Sequence, residues 1–337
     1  MKIFTEPNGK FIVEIPTEWR YANVAANYEE KSPFSFQPYE KPSWAFQISC
    51  YSNSEKLQNK NVPIQKYDTP NLDFVELRKD EDGFNMHIWG ASVEDHTIMA
   101  KYIYDSNKEN DKEIRFELGR IKKALSTIQL LSPENRRLAC ELDKYEKFMA
   151  SLAASFDLKN EALNNRSFIE FSIIVANQID AYLRLCIVMT DQLKNKTDKI
   201  DIKLLYQSPT DKPVMERKIY SMAKEKGIID EKVFEQLESL YLERNKMVHR
   251  YIISEFRTCQ LIEIAYHYES ICETIRLITR NIEDLQFESK IGIYGNGKHP
   301  LEEPNEDAMN FLYSQVNDKH LISEFERKIA TPNSYKK

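Results

Sequence analysis

The sequence predicts two folds in succession: an α+β unit, built as an antiparallel sheet with one closing helix, and then an all-α helical bundle. Three observations carry this. Strand and hairpin signals are confined to residues 1–131. Beyond Leu131-Ser132-Pro133-Glu134 they almost vanish, and five long helical stretches follow. The chain of 337 residues is also longer than one core usually holds.

The first unit opens on Phe11-Ile12-Val13-Glu14-Ile15, a strand ended by Pro16. Phe46 to Tyr51 is a second candidate. Phe74 to Arg78 and Phe84 to Trp89 flank Lys79-Asp80-Glu81-Asp82-Gly83, a hairpin signal. His96 to Tyr104 alternates and makes the next strand. Ile114, Leu118, Ile121, Leu125 and Ile128 then recur at helical spacing, the stripe of a helix closing the sheet.

The boundary falls at Leu131 to Glu134, where Ser132 is a good N-cap and Pro133 fits the first helical turn. Helices are expected at 133–156, 161–194, 212–226, 230–252 and 255–284. Gly227 should stop the third and Asp230 should cap the fourth. The resulting division is an α+β unit over 1–131, a bundle over 132–285 and a polar extension over 286–337. Gly292 to Lys298 reads as a turn or loop after the last long helix. The extension carries an acidic patch at Glu302 to Asp307, with short helices expected at Glu306 to Gln315 and Leu321 to Ile329.

Composition narrows the function. The chain is 42% hydrophobic and 30% charged, as expected of a soluble globular protein. The densest apolar run, Phe168 to Met189, is broken by Glu170, Asn177, Gln178, Asp180 and Arg184, which favours a buried bundle helix over a membrane span. The first residues lack the apolar core of a signal peptide, so a cytoplasmic location is expected. Five scattered cysteines without a Cys-x-x-Cys pair point to buried, reduced thiols. His87, His96, His267, His299 and His320 have no metal-ligand spacing, and no metal or cofactor is expected. Eight glycines and no phosphate-binding glycine loop argue against a nucleotide-binding fold. A net charge of −6 does not suit a protein that coats long nucleic acid. It does not exclude one that holds a single scissile phosphate with a few local arginines. Arg136 and Arg137 read as a solvated helix start.

The densest chemistry lies in Arg244-Asn245-Lys246-Met247-Val248-His249-Arg250-Tyr251. A guanidinium can clamp and neutralise a pentavalent phosphate, and an imidazole can move a proton near neutral pH. Successive helical residues rotate by about 100°. Arg244, Val248 and Tyr251 therefore share one face, with Asn245 and His249 on the adjoining one. Arg244 and His249 diverge by roughly 140°. They can meet on one phosphate only if the helix is distorted or if two copies face each other. Phosphate stabilisation also demands an uncompensated arginine, and Glu243 is a nearby competitor. On the long apolar helix, Asp180 and Arg184 form an i,i+4 pair beside a polar stripe of Glu170, Asn177 and Arg184.

The Arg-Asn-x3-His-x-Tyr run, following the helical Asp230 to Glu243, resembles the signature of the HEPN superfamily in the form found in bacterial toxins. Asn177-Gln178-Ile179-Asp180-Ala181-Tyr182-Leu183-Arg184 resembles the acidic-Ala-x-Leu-Arg segment of HEPN bundles, with Asp180 where glutamate is common. The resemblance spans roughly residues 135–284. It implies metal-independent RNA cleavage at a homodimer interface, with attack by the 2′-hydroxyl leaving a 2′,3′-cyclic phosphate. By that resemblance Arg244 would stabilise the phosphorane, His249 would act as general acid or base or bind phosphate, and Asn245 would orient the site. Tyr251 would line the cleft or be modified by a separate antitoxin enzyme. Proteins of this layout commonly serve toxin–antitoxin or antiviral defence systems, so an antitoxin or trigger protein is the implied partner. By the same HEPN resemblance the first unit would sense a trigger or restrain the nuclease; separately, its opening segment Gly9 to Trp19, with a Phe-Val-Pro-Trp pattern, resembles Mog1/PsbP-like domains.

The rival reading is a non-catalytic HEPN-like module that binds a protein or nucleotide, which buried or salt-bridged Arg244 and His249 would favour. A third, in which the first unit carries the function, rests on the exposed-looking Trp44 and Trp89.

Overall fold

The computed structural model describes residues 1–38, 43–52, 63–81, 83–207 and 211–295. It divides into two compact units, one over Met1–Lys147 and one that begins at Phe148. The sequence boundary near Leu131 precedes this division, which falls inside a continuous helix.

The first unit contains β1 (Lys2–Thr5), β2 (Phe11–Ile15), β3 (Trp19–Tyr21), β4 (Phe34–Pro38), β5 (Trp44–Ser52), β6 (Ile64–Gln65), β7 (Val75–Glu81), β8 (Phe84–Val93), β9 (His96–Asp105), α1 (Lys112–Leu125) and β10 (Gln129–Leu130). Two sheets form where one was expected. The smaller has the order β1-β2-β10, and the larger β3-β4-β5-β9-β8-β6 with β7 also on β8. All pairs are antiparallel except β6 with β8.

The alternation in β8 and β9 explains their place at the centre. Every second residue is buried, and the register runs from Phe84 opposite Asp105 to Val93 opposite His96. A one-residue slip would turn each apolar side chain to the other face. Phe11, Phe36, Phe46, Ile98 and Tyr102 pack into one core, which Ile114, Ile121 and Leu125 of α1 help to close. Glu117 is the buried exception on α1. It accepts from the Trp19 indole at 3.1 Å and from Arg120 at 3.0 Å, so the carboxylate is paired. Trp44 and Trp89 are also core residues, at 4% and 3% exposure. This removes the surface aromatics on which the third reading rested. Gly9 has φ +72°, and a Cβ there would stand 2.3 Å from the carbonyl oxygen of Arg136. Only glycine fits that approach.

α2 (Pro133–Asn164) leads from the first unit into the second, which also holds α3 (Phe168–Asn195), α4 (Ile202–Leu205), α5 (Glu216–Glu225), α6 (Glu231–Arg250) and α7 (Thr258–Ser289). α2 runs past the expected break at 157–160, because Asp157-Leu158-Lys159-Asn160 contains neither glycine nor proline. The turn comes at 165–167, where Arg166 takes a left-handed φ of +55°. Gly227, at φ +71°, follows α5, and the Asp230 carboxylate caps α6 by accepting from the Val233 amide at 2.8 Å. Both were legible as helix signals.

α3 is the core helix. It packs along α7, with Val175, Ile179 and Leu183 buried on one side and Tyr268, Ile271 and Ile275 on the other. α3 has the length and hydropathy of a membrane span, yet 67% of its most apolar window is buried inside the unit. One of its buried polar residues, Gln192, is paired with the neighbouring helix. Gln286 donates to the Met189 carbonyl at 3.1 Å and to Gln192 at 2.8 Å, which ties the ends of α7 and α3. Cys186 and Cys272 are buried, and desolvation pushes both thiols up to about 12. Cys50 and Cys140 are half-buried and Cys259 is exposed, so the expectation of buried thiols holds fully only for Cys186 and Cys272. Residues 291–295 turn after α7. Asn296 to Lys298, His299, His320 and the expected tail helices lie outside the described residues.

One buried charge gives a pH signature. Lys2 on β1 is buried, and desolvation lowers its pKa from 10.5 to about 7, against the opposing field of Glu18. The unfolded chain therefore binds more protons than the folded one between those values. The cost of the buried ammonium is full below about pH 7 and is relieved as pH rises toward 10.5. Thermal melting of the first unit should shift upward between pH 7 and pH 9, and Lys2→Met should remove that slope. A melting profile unchanged by the substitution would contradict the assignment.

Candidate phosphate-handling site

α6 presents Leu237, Leu240 and Met247 to the core. Arg244 lies on the same face, four residues after Leu240 and three before Met247. A guanidinium in that position needs a partner, because burying an unpaired charge is costly. Its side chain is 14% exposed, and Glu216 at the start of α5 supplies the partner. Nη1 donates to Oε1 at 2.9 Å and Nη2 to Oε2 at 2.7 Å, a two-pronged contact. Burial alone would lower the pKa of Arg244, but the hydrogen bonds and charge of Glu216 hold it above the usual value.

Tyrosines complete this cluster. The Tyr220 hydroxyl also donates to Glu216 Oε1. Burial, then the Glu216 charge, push the Tyr220 phenol well above its ordinary range. Tyr268 donates to the Leu240 carbonyl at 2.8 Å. The Tyr241 ring lies under two guanidinium groups, Arg244 at 5.1 Å and Arg217 at 5.7 Å. Arg217 is itself held by Glu238, with Nε 2.9 Å from Oε2.

Asp180 enters the same neighbourhood from α3. It accepts from Arg184 Nε at 2.6 Å. The other nitrogens of Arg184 donate to the Leu204 carbonyl at 3.0 Å and the Val214 carbonyl at 2.8 Å. Asp180 Oδ1 is buried and has no hydrogen-bond partner among the described residues. Desolvation raises the Asp180 carboxyl above the usual range, Arg184 opposes this, and the charges of Glu216 and Arg244 act on it in opposite senses. Of the polar stripe on α3, Arg184 is tied to the stretch that precedes α5, whereas Glu170 and Asn177 are exposed.

The rest of the motif points elsewhere. α6 stays helical through Arg250, so the distortion that would let Arg244 and His249 converge within one chain is absent from this helix. Arg244 turns toward α5, whereas His249 is exposed. Asn245 is half-buried, and Tyr251 is exposed where α6 ends. Val248, Tyr251, Ile252 and Ile253 are all exposed, Ile252 at 93%. Past the buried Met247, the apolar side chains at the end of α6 and just after it are thus without cover among the described residues.

The demand for an uncompensated arginine is therefore not met in a single chain. The compensating carboxylate is not the flagged Glu243 but Glu216, on a different helix. Residue spacing could not reveal a partner 28 positions away. Glutamate in a first helical turn is ordinary because of the helix dipole, so nothing in the local sequence marks Glu216 as a partner. Tyr220, Tyr241 and Tyr268 were missed for a related reason: each reads as a bundle aromatic until its polar end is located.

No protein-family model matches this chain, and no curated protein matches it. A crystal structure from Bacteroides thetaiotaomicron VPI-5482 is similar to it at 13% identity, over 52% of this chain and 76% of that one, with a TM-score of 0.28. A likeness at that level carries no argument about fold or function.

The pairing predicts strong coupling between α5 and α6. Arg244→Ala should destabilise the protein by about 2–4 kcal/mol, because it leaves a partly buried carboxylate short of donors. Glu216→Ala added to it should cost far less than the two changes separately, with a coupling free energy of about 1–3 kcal/mol in urea unfolding. Additive losses would contradict the pairing.

Proposed function

We propose that the helical unit is a metal-independent endoribonuclease whose working site takes Arg244 from one chain and His249 from another. The observation that carries this reading is the end of α6. One unbroken helix bears a guanidinium on its inner face and an imidazole in solvent, and exposed apolar residues follow both. Exposed apolar surface beside polar groups is a common mark of an interaction surface. A second copy against Val248, Tyr251 and Ile252 would bring its own His249 toward this Arg244.

The chemistry needs only what these side chains supply. The 2′-oxygen of one nucleotide attacks the adjacent phosphorus and forms the 2′-O–P bond as the bond to the 5′-oxygen breaks. The products are a 2′,3′-cyclic phosphate and a 5′-hydroxyl. Arg244 stabilises the charge that grows on the non-bridging oxygens, a contribution typically of about 3 kcal/mol per well-placed donor. His249 transfers a proton to the leaving oxygen or from the attacking one. Asn245, at the edge between the two faces, positions the scissile group. By the HEPN resemblance, such a protein would act as a toxin or antiviral effector in the cytoplasm. The first unit would receive the trigger or hold the nuclease off, and Tyr251 would serve as a control point for a separate antitoxin.

A second reading is favoured by one specific observation. Glu216 neutralises Arg244, as a helical module that binds a protein or nucleotide without cleaving RNA would permit.

RNA incubated with purified protein in EDTA separates the two. The ribonuclease reading expects cleavage products ending in 2′,3′-cyclic phosphate, and a loss of about a hundredfold or more in both Arg244→Ala and His249→Ala. Activity that survives both substitutions, or that requires added metal, contradicts it. Full activity in a monomer at micromolar concentration contradicts the two-chain site.

A further inference from the structure

Glu216 occupies Arg244 in the way a phosphate would. Its two oxygens meet the two Nη atoms, at 2.9 and 2.7 Å, in the fork geometry by which arginine also grips phosphodiesters. The Tyr220 hydroxyl adds a third donor to the same carboxylate, and the Tyr241 ring forms a wall beside the guanidinium. These donors make an anion site that is filled from within the chain.

The occupant sits where a small movement would withdraw it. Glu216 is the first residue of α5, a helix of 10 residues. The stretch before it is held to α3 by Arg184, which donates to the Val214 carbonyl two residues upstream and is itself held by Asp180. Release of the fork needs only the Glu216 side chain, at the very start of α5, to swing away, while Ile219 and Tyr220 keep the helix seated in the core.

We propose that Glu216 is an internal stand-in for the RNA phosphate, a latch that must leave Arg244 before a phosphodiester can bind there. Asp180 and Arg184 are positioning residues that set how firmly the latch is held. The proposal rests on the ribonuclease reading of Arg244 and gives the otherwise contrary Glu216 contact a role in it. The ligand that competes is a backbone phosphodiester, recognised by charge and geometry without regard to base. A lone phosphodiester must displace a carboxylate already in place. A longer RNA, held by further contacts, pays that cost more easily.

The test uses the full chain and a fluorescent RNA oligonucleotide with 2′-deoxy substitutions, which binds but cannot be cut. Fluorescence anisotropy should give about tenfold tighter binding for Glu216→Gln than for wild type, and the gain should disappear in Glu216→Gln/Arg244→Ala. Arg184→Lys should move binding in the same direction by a smaller factor. If Glu216→Gln melts below the assay temperature, Glu216→Asp carries the test, because it keeps the charge but withdraws the carboxylate by one methylene. A structural role alone would weaken binding or leave it unchanged, and either result overturns the latch. Unsubstituted RNA in EDTA, assayed in parallel, separates the two claims. Tighter binding by Glu216→Gln with no cleavage by any variant upholds the latch and sinks the ribonuclease. Cleavage by wild type with no gain in binding for Glu216→Gln does the reverse.

Discussion

The contact between Arg244 and Glu216 is the constraint on which the rest of the helical unit's chemistry depends. Arg244 lies on a face of α6 that is otherwise given to core packing, flanked by Leu240 and Met247. A charge there is tolerable only with a partner, and the partner comes from α5. That single requirement joins α5 to α6, turns the guanidinium away from His249, and uses the charge that phosphate chemistry would need. Tyr220 and Tyr241 then gather around a contact that already exists, and the Asp180–Arg184 pair holds the stretch that leads into Glu216.

Much of the architecture was legible because it follows from periodicity. The alternation in His96 to Tyr104 and the helical stripe from Ile114 to Ile128 each state which face is buried, and burial follows them. Gly227 and Asp230 are read correctly because their roles are local: a left-handed backbone in one case, a capped amide in the other. The short strands β1, β3, β6 and β10 escaped because two to four residues cannot display a period, and they are strands only by virtue of their neighbours. Trp44 and Trp89 were misjudged for the same reason, since their burial is set by strands distant in sequence.

The candidate site divides along the same line. Arg244, Asn245, His249 and Tyr251 are recognisable because they sit within one turn or two of each other. Their relationship is not, because it depends on Glu216, which belongs to another helix. Asp180 was singled out for its place in an apolar helix, and it does share the Arg244 cluster, but by way of Arg184 and the Val214 carbonyl. A motif read as a catalytic unit becomes, in the folded chain, an arginine facing inward and a histidine facing out. The exposed apolar residues around and after His249, namely Val248, Tyr251, Ile252 and Ile253, are the physical reason to look to a second chain for the missing half.

The central claim is that Arg244 and His249 act together only across two chains. Mixing Arg244→Ala protein with His249→Ala protein tests it most directly. Each variant alone lacks one half of every site. A mixed pair holds one intact site, built from the Arg244 of one chain and the His249 of the other. After subunit exchange, an equal mixture should regain about a quarter of wild-type RNA cleavage in EDTA, since half the pairs are mixed and each carries one working site of two. A mixture as inactive as its components, beside an active wild type, would contradict the two-chain site.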